Sequence, residues 1–428
     1  MASDTKKQLR NIVLYSIFVR NYSKEGTFKS VEKDLDRIKD LGVDVIWLMP
    51  IHPIGKEKRK GALGSPYAIS DYRKINPEYG TLEDFKDLVK AIHERGMKVI
   101  IDVVFNHTSP DSVLATMHPE WFYHKADGSL ANRVGDWSDI VDLDYSHREL
   151  WDEQIETLKY WSYFVDGFRC DVAPLVPVDF WKEARKACGD KLWLAESVEP
   201  GFITYMRHLG IPMASDSELY QAFDVLYDYD IARFYQGYLT GNHTLEEYVN
   251  AINDQETIYP DNYVKARFLE NHDRLRGHFL IPNALDLDNW TAFMYFQKGL
   301  VMLYNGQEYG CMHTPTLFDK DEIEPEDLDL TPLLKTLGEI KKDPFFVDTS
   351  YHVDVVKDDV VIAIHVKNQS QETCVGIFHL KDAKKTVLDV SKYLPDGIYE
   401  DLITDKRYEV RQGVLVTDGQ PLMFKVER

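Results

Sequence analysis

The stretch GFRCDVA, residues 167–173, combines the apolar character of a buried strand with two charged side chains. Side chains two positions apart on a strand point to the same face, so Arg169 and Asp171 are predicted to share one face, and Phe168 and Cys170 the other. Charges on an inward face cost free energy unless they are paired. Taken alone, the stretch fits either a buried ion pair that only stabilises packing or a functional site.

Apolar runs of the same kind recur along the chain and alternate with amphipathic segments. After the first run, apolar side chains recur at spacings of three and four, which predicts one helix over residues 27–41, followed by Gly42. Strand–helix–strand repeats indicate a parallel sheet. Eight strands with intervening helices fit an α/β fold of the (β/α)8 TIM-barrel type. The predicted strands cover residues 12–19, 43–49, 98–104, 167–171, 191–196, 222–229, 266–269 and 301–304, and a helix over 331–342 follows the last.

Two parts of the chain do not fit this repeat. The third and fourth strands are too far apart for one strand–helix unit of about 30 residues, and the excess predicts a short insertion at residues 108–146. After residue 346, short alternating runs separated by turn residues predict a C-terminal all-β sandwich domain at 346–428. The barrel domain is then formed by residues 1–107 and 147–345.

The composition limits the classes of partner. The 428-residue chain has a formal net charge of −21, which disfavours nucleic-acid backbones and anionic membrane surfaces. It contains no apolar run of the roughly 18 residues that cross a bilayer. We therefore predict neither a nucleic-acid nor a membrane partner. The polar start and the four scattered cysteines predict a cytoplasmic protein, although a chain with its signal peptide removed would begin in the same way.

Three carboxylates stand at the ends of predicted strands, namely Asp171, Glu196 and Asp273. The carboxyl ends of barrel strands meet at one face, where such enzymes place their active sites. Two carboxylates on opposite sides of a glycosidic bond can cleave it, one attacking or activating water and the other protonating the leaving oxygen. The same residues could instead bind a metal ion, as in enolase-like barrels. The residues alone leave both possibilities open.

Two neighbouring regions add polar side chains to this face. The third strand carries Asp102 and ends in Asn106 and His107. The second strand is followed by a loop of about 30 residues, whereas such loops usually have about 2–6. This loop contains Tyr67, and long loops at this end of a barrel are usually functional.

Four short motifs at these strand ends resemble the signature regions of the α-amylase family of glycoside hydrolases, and they occur in the family's order. They are DVVFNH at 102–107, GFRCD at 167–171, AE at 195–196 and ENHD at 270–273. The stretches GSPY at 64–67 and YNGQE at 304–308 are similar to further family features. The resemblance extends over the barrel, the insertion and the C-terminal β-domain.

The resemblance implies a retaining α-glycoside hydrolase whose substrates are α-glucans such as starch, maltodextrins and malto-oligosaccharides. Asp171 would be the nucleophile that forms a covalent glycosyl-enzyme. Glu196 would protonate the leaving oxygen and then activate water, which requires a raised pKa. Asp273 would hold ring hydroxyls of the sugar. Arg169, next to Asp171, would keep the nucleophile ionised.

The resemblance also implies roles for the remaining polar residues. His107 and His272 would hydrogen-bond the same glucose unit. Tyr67 would stack beneath that unit. Asp102 would support Arg169 rather than touch the sugar.

One departure from the family concerns calcium. Many α-amylases carry Lys-His after the nucleophile, where it serves the next sugar and a structural calcium, but this chain has Pro174-Leu175. Asn106, another expected calcium ligand, is present. We therefore predict that no cofactor is required and that the usual calcium site is altered or absent.

Other functions remain open at this point. The same glycosyl-enzyme could be transferred to a sugar hydroxyl, as in an α-glucan transglycosylase, or formed from short oligosaccharides, as in an α-glucosidase. A non-catalytic amylase-like binding protein should lack the catalytic carboxylates, and all three are present here.

Overall fold

The computed structural model describes residues 2–135, 137–368, 370 and 372–426. Its strands are β1 (Val13–Ile17), β2 (Val45–Leu48), β3 (Lys98–Val103), β4 (His107–Thr108), β5 (Val141–Asp142), β6 (Gly167–Cys170), β7 (Leu192–Ala195), β8 (Val225–Tyr227), β9 (Lys265–Arg267), β10 (Leu300–Tyr304), β11 (Thr349–Lys357), β12 (Val360–Lys367), β13 (Thr373–His379), β14 (Thr386–Asp389), β15 (Gly397–Glu400), β16 (Arg407–Arg411), β17 (Val414–Thr417) and β18 (Leu422–Val426). Its α-helices are α1 (Val19–Tyr22), α2 (Phe28–Lys33), α3 (Leu35–Asp40), α4 (Leu82–Glu94), α5 (Val113–Met117), α6 (Arg148–Ser162), α7 (Val178–Cys188), α8 (Pro200–His208), α9 (Asp216–Leu219), α10 (Ala232–Leu239), α11 (Leu245–Ile258), α12 (Gly277–Leu280), α13 (Ala284–Phe296) and α14 (Thr331–Lys341).

The strands that were predicted to form a barrel do so. Among the described residues, eight parallel strands close in the order β1-β10-β9-β8-β7-β6-β3-β2, so the predicted TIM barrel is confirmed. Helices cover the outside of such a barrel and side chains fill its inside, which is why its strands are nearly continuous apolar runs. The register sets Asp102 of β3 opposite Arg169 of β6, and this pairing brings the polar residues of two strands together.

The predicted helix over residues 27–41 is wrong in one respect, because two helices occupy this region. Helices α2 and α3 are separated at Asp34, whose backbone angles are φ −107° and ψ 4°. The Asp34 carboxylate accepts hydrogen bonds from Arg37, at 2.6 to 3.0 Å, and from the hydroxyl of Tyr22. An aspartate that bonds to local groups in this way favours a break over a continuous helix.

The chain between β3 and α6 forms a small structure beside the barrel mouth. Its strands β4 and β5 pair antiparallel, with His107 opposite Asp142. The pairing of β4 with β5 ties the insertion to the end of β3, where candidate site residues lie.

Some residues of the three predicted domains lie outside the described residues. They are residue 136 of the predicted insertion, residue 1 of the predicted barrel domain, and residues 369, 371, 427 and 428 of the predicted C-terminal domain.

The C-terminal region consists of two antiparallel sheets, β11-β12-β13-β18 and β14-β17-β16-β15, as predicted from its alternating pattern. The first sheet packs on the barrel helices. Trp290 of α13 donates its ring N–H to the carbonyl of Leu380 at 2.8 Å, and Asn253 of α11 donates to the carbonyl of Val353 at 2.8 Å. Among the described residues, no helix is long and apolar enough to cross a membrane.

Candidate active site

A cavity of about 370 Å3 opens at the carboxyl ends of the barrel strands. Of the residues predicted from the sequence, Tyr67, His107, Asp171, Glu196 and Asp273 line it. They come from five different strand ends or loops, and only the closed barrel brings them together.

The remaining predicted residues lie beneath or beside this cavity. Arg169 and Asp102 are fully buried, and His272 is 4% exposed. Asn106 lines a separate cavity of about 250 Å3. The candidate metal ligand Asn106 therefore lines a different cavity from the three candidate catalytic carboxylates.

One guanidinium group organises the floor of the site. Arg169 Nη1 lies 2.8 Å from Asp171 Oδ1 and 3.0 Å from Asp102 Oδ1, while its Nη2 lies 3.0 Å from Glu196 Oε2. The contact with Glu196 is an ion contact that lacks hydrogen-bond alignment, since Nη2 has no aligned acceptor among the described residues. Arg169 thus touches three carboxylates, and a charge this deeply buried requires such pairing.

The buried carboxyl groups differ in acidity. Burial raises the pKa of Asp171 to about 6, although Arg169 opposes the shift. Burial raises the pKa of Glu196 to about 7, again against Arg169 and with help from the negative charge of Asp171. Burial also acts to raise the pKa of Asp273, but His272 and Arg169 outweigh it and lower the value to about 2. Asp273 is therefore the most acidic of the three and Glu196 the least.

A strained backbone holds Glu196 in place. The N–H of Val172, directly after Asp171, donates to Glu196 Oε2 at 2.8 Å. Val172 has φ 38° and ψ 44°, a left-handed conformation that is unfavourable for a β-branched residue and costs on the order of 1–3 kcal/mol. This conformation turns the N–H after the nucleophile candidate towards the acid candidate.

Tyr67 lines the cavity, and His272 packs against its ring. Their rings stack with centroids 5.4 Å apart and planes 10° apart, and the Tyr67 hydroxyl lies 2.8 Å from His272 Nε2. The same hydroxyl donates to Asp102 Oδ2 at 3.1 Å. Burial disfavours the charged form of His272, but Asp273, 3.1 Å from Nε2, outweighs burial and raises the pKa of the imidazole.

His107 lines the cavity next to the insertion and beside the backbone of Tyr67. Its ring is 5.9 Å from that of Trp137, and its Nδ1 lies 3.1 Å from Asn106 Nδ2. Burial lowers the pKa of His107, so its imidazole is neutral near pH 7 and has one donor and one acceptor nitrogen. A neutral imidazole suits hydrogen bonding to sugar hydroxyls.

Two comparisons with known proteins bear on this site. The model of the alpha-amylase catalytic domain matches residues 15–137, and that of the bacterial alpha-amylase C-terminal domain matches residues 352–424. An α-amylase of known structure from Lactobacillus plantarum is 51% identical, superimposes with a TM-score of 0.95, and is matched over 98% of this chain and 100% of its own. The chain belongs to the α-amylase family of glycoside hydrolases.

Other family members are similar at lower identity. The crystal structure of the noncanonic maltogenic α-amylase AmyB from Thermotoga neapolitana shares 34% identity and a TM-score of 0.86, over 98% of this chain and 100% of that one. The Haloarcula japonica α-amylase MalA is 29% identical over 70% of this chain but only 44% of its own length. An α-1,4-glucan:maltose-1-phosphate maltosyltransferase from Methylacidiphilum infernorum is 35% identical over 43% of this chain and 32% of its own. This α-amylase family chain thus matches less than half the length of these two curated relatives.

Asn106 lines its cavity together with Arg133, Asp142 and Leu143 of the insertion. Arg133 of the insertion donates from Nη2 to the carbonyl of Leu143 at 2.8 Å, and its Nε lies 3.7 Å from Asp142 Oδ2. The backbone N–H of Arg133 donates to the same Asp142 oxygen at 2.7 Å. Among the described residues, no group of three or more histidine, cysteine, aspartate or glutamate side chains is arranged to hold a metal ion. Arg133 thus contacts Asp142 and Leu143 of the insertion through both its backbone and its side chain.

Several cavity residues were not predicted from the sequence. Tyr229 lies shortly after β8 and Arg274 directly follows Asp273 in the loop after β9, so their positions near predicted strand ends could have indicated them. Arg274 stacks 4.6 Å above the ring of Tyr229 and forms an ion pair with Glu199 at 2.7 Å. The other unpredicted lining residues lie in loops without a local pattern, and they include Lys60, Asp139, Leu317 and Phe318.

Proposed function

We propose that this chain is a retaining α-glycoside hydrolase that cleaves starch, maltodextrins and malto-oligosaccharides through a covalent glycosyl-enzyme. The observation that carries the proposal is the buried guanidinium of Arg169, 2.8 Å from Asp171 and 3.0 Å from Glu196. Carboxylates that share one guanidinium lie close together. A separation of about 5–5.5 Å favours double displacement, whereas inversion needs about 6.5–9.5 Å.

The acidities support the division of roles. With a pKa of about 6, Asp171 is mostly ionised near pH 7 and is available as nucleophile. With a pKa of about 7, Glu196 is still protonated in a large fraction of the molecules near pH 7, and these molecules have the acid available. Asp273, with a pKa of about 2, remains a carboxylate and can accept hydrogen bonds from ring hydroxyls.

The reaction would proceed in two displacements. In the first, Asp171 attacks the anomeric carbon while Glu196 donates its proton to the glycosidic oxygen, so that the leaving sugar departs as an alcohol. In the second, the Glu196 carboxylate takes a proton from water, whose oxygen attacks the anomeric carbon and releases Asp171. Each displacement inverts the configuration, so the α configuration is retained.

Product analysis with maltoheptaose tests this proposal. The expected result is accumulation of shorter malto-oligosaccharides, with the α anomer appearing first in a proton NMR time course, before mutarotation. Initial appearance of the β anomer would contradict the double displacement. Absence of cleavage would contradict the hydrolase assignment.

Transfer to a sugar hydroxyl is a second candidate function, favoured by the 35% identity to a maltosyltransferase over 43% of the chain. The two functions differ only in what attacks the glycosyl-enzyme. Chains longer than maltoheptaose in the same incubation would indicate transfer, and their absence at high substrate concentration would indicate hydrolysis.

The pH dependence of kcat/KM should follow the two catalytic carboxyls. Activity should rise as Asp171 ionises around pH 6 and fall as Glu196 loses its proton around pH 7, giving a narrow bell. Initial rates at low substrate concentration, from about pH 4 to about pH 9, measure this profile. A flat profile through neutral pH would contradict the assigned roles, since one or both groups would then not titrate there.

We further propose that the chain needs no calcium at Asn106, because Arg133 supplies the positive charge that holds the insertion to the barrel. Its contacts to Leu143 and Asp142 support this, since His107 is paired with Asp142 across β4 and β5. Arg133 would thereby hold the wall of the cavity that His107 forms.

Removal of divalent cations should therefore leave stability unchanged. A calcium ion present at 100 times its Kd would stabilise the fold by about 2.7 kcal/mol, and dialysis against EDTA would remove that contribution. We expect the same thermal midpoint before and after EDTA. Arg133→Met should lower the midpoint in both conditions. A loss of stability in EDTA that added calcium restores would contradict the proposal.

A further inference from the structure

Three segments meet over one side of the cavity without contributing a catalytic carboxylate. They are the loop after β2, the part of the insertion around Asp139, and the loop after β10. Lys60 of the first loop lies with Nζ 3.1 Å from Asp139 Oδ1, and the same Nζ is 5.9 Å from the ring centroid of Phe318 in the third. We call Lys60, Asp139 and Phe318 the rim cluster.

The backbone fixes two of these loops to each other. The N–H groups of Leu63 and Gly64 both donate to the carbonyl of Phe318 at 3.0 Å, and that of Ala62 donates to Asp319 Oδ1 at 2.7 Å. Buried Arg20 bridges the same two loops from below, donating to the carbonyl of Gly64 at 2.9 Å and to that of Leu317 at 3.1 Å. The loops after β2 and β10 therefore form one continuous wall.

The insertion completes the wall through the ion pair. The side chain of Asp139 is 7% exposed and that of Lys60 is 34% exposed. A pair shielded from water on one side is stronger than a fully exposed surface pair, which contributes little. The insertion is joined here to the loop after β2, above the cavity that both segments line.

Barrel order shows which end of the substrate this wall faces. In the closed sheet, β2 and β10 flank β1, and β7 is the fourth strand from β1 in either direction. Glu196, which follows β7, therefore lies across the mouth from the wall. Glu196 is the acid in the proposed function, so the leaving group lies on the same side of the barrel mouth as Glu196. The rim cluster then faces the glycone, which is the non-reducing side of the bond to be cleaved.

We propose that the rim cluster closes the glycone side of the cleft, so that the enzyme binds the non-reducing end of a malto-oligosaccharide and acts as an exo-enzyme that releases short products. This inference rests on the proposed function and specifies its substrate class. The cavity of about 370 Å3 is near the lower limit of the roughly 300–1,000 Å3 of small-molecule sites, which suits a few sugar units rather than a chain passing through. Internal cleavage would require the ion pair between Lys60 and Asp139 to separate.

Two substrates that differ only at the non-reducing end test the proposal. One is p-nitrophenyl maltoheptaoside, and the other is the same compound with a 4,6-O-ethylidene group on its terminal glucose. The wild-type enzyme should have a kcat/KM at least about 100-fold lower on the blocked compound, because the group clashes with the closed wall. Values within a few fold of each other would overturn the closure. Cleavage of neither compound, nor of maltoheptaose, would overturn the proposed function and this inference with it.

Substitutions in the rim cluster test whether its residues cause the lower kcat/KM on the blocked substrate. Asp139→Ala should raise the ratio of blocked to unblocked kcat/KM about tenfold, and the charge exchange Lys60→Asp with Asp139→Lys should bring the ratio back towards wild type. Asp127→Ala, an exposed aspartate in a turn of the same insertion, is the matched control and should keep the wild-type ratio. Phe318→Ala is a second variant that should open the wall, in this case by removing an uncharged side chain, and it should also raise the ratio. Wild-type ratios in both opened variants, with unchanged thermal midpoints, would overturn the role of the rim cluster.

Discussion

Asp171→Asn is expected to lower kcat/KM for maltodextrin cleavage by at least about 10^4-fold, equivalent to about 5.4 kcal/mol of transition-state stabilisation. The amide has the shape of the carboxylate but cannot form the glycosyl-enzyme. Asp171 lies 2.8 Å from Arg169 and beside the cavity. Asp102, the other aspartate paired with Arg169, is fully buried and cannot take its place. Release of reducing ends from maltodextrin measures the loss.

The loss in this variant should not come from unfolding. The pKa of Asp171 is raised by burial to about 6 in the folded protein, above the roughly 3.9 of an unfolded chain. A carboxyl with a raised folded-state pKa contributes stability that is lost as pH rises through that pKa. Because asparagine does not ionise, the thermal midpoint of the variant at pH 7 should be equal to or above that of the wild type. Arg169 keeps contacts with Asp102 and Glu196.

Asp179→Asn is the matched control for this substitution. Asp179 is an exposed residue of α7 that pairs with Lys182 at the surface, and such pairs contribute little. It should retain wild-type activity. Hydrolysis by Asp171→Asn at near the wild-type rate would show that another group is the nucleophile.

Glu196→Gln is expected to have the second-largest effect, about 10^2–10^4-fold on maltodextrins, the range typical of a positioned acid or base. The loss should depend on the leaving group. An aryl maltoside with an acidic phenol needs no proton from the enzyme in the first displacement, so this step should recover most of its rate. A burst of phenol release followed by slow turnover would show that the glycosyl-enzyme accumulates, because its hydrolysis still needs a base.

Azide separates the two roles of Glu196 in this variant. It attacks the glycosyl-enzyme without a base, so it should restore turnover and yield a glycosyl azide of α configuration. Glu246→Gln, an exposed residue in the first turn of α11, should behave as wild type with all substrates. Equal losses on maltodextrin and aryl maltoside, with no effect of azide, would contradict the acid–base assignment.

The fold was predictable where local pattern and tertiary packing agree. Barrel strands are buried on both sides, so most of them appear as apolar runs and were located. The predicted strand at 266–269 is displaced from β9 (Lys265–Arg267), which carries two charged side chains. The break at Asp34 was not predictable, because its carboxylate bonds to Tyr22 outside the helical segment as well as to Arg37 within it. A contact to a residue outside the helix leaves no trace in the spacing of apolar side chains.

The site shows the same division. Asp171, Glu196 and Asp273 could be selected because each directly follows, or lies shortly after, a barrel strand. The Val172 N–H that holds Glu196 could not, since it depends on a left-handed backbone at a residue type that rarely adopts one. Arg133 was also missed, because only folding of the insertion brings its guanidinium to the carbonyl of Leu143.

By itself, the sequence determined which carboxylates stand at strand ends and in what order, because strand position is encoded in neighbouring residues. Only the tertiary structure decided how these groups differ in acidity, since burial and the shared contact with Arg169 arise when β3, β6 and β7 come together. It also decided which side of the cleft is walled, because Lys60, Asp139 and Phe318 come from three loops that meet only when the barrel closes. Electrostatic shifts and cleft shape depend on distances between residues far apart in the chain, and those distances exist only in the folded molecule.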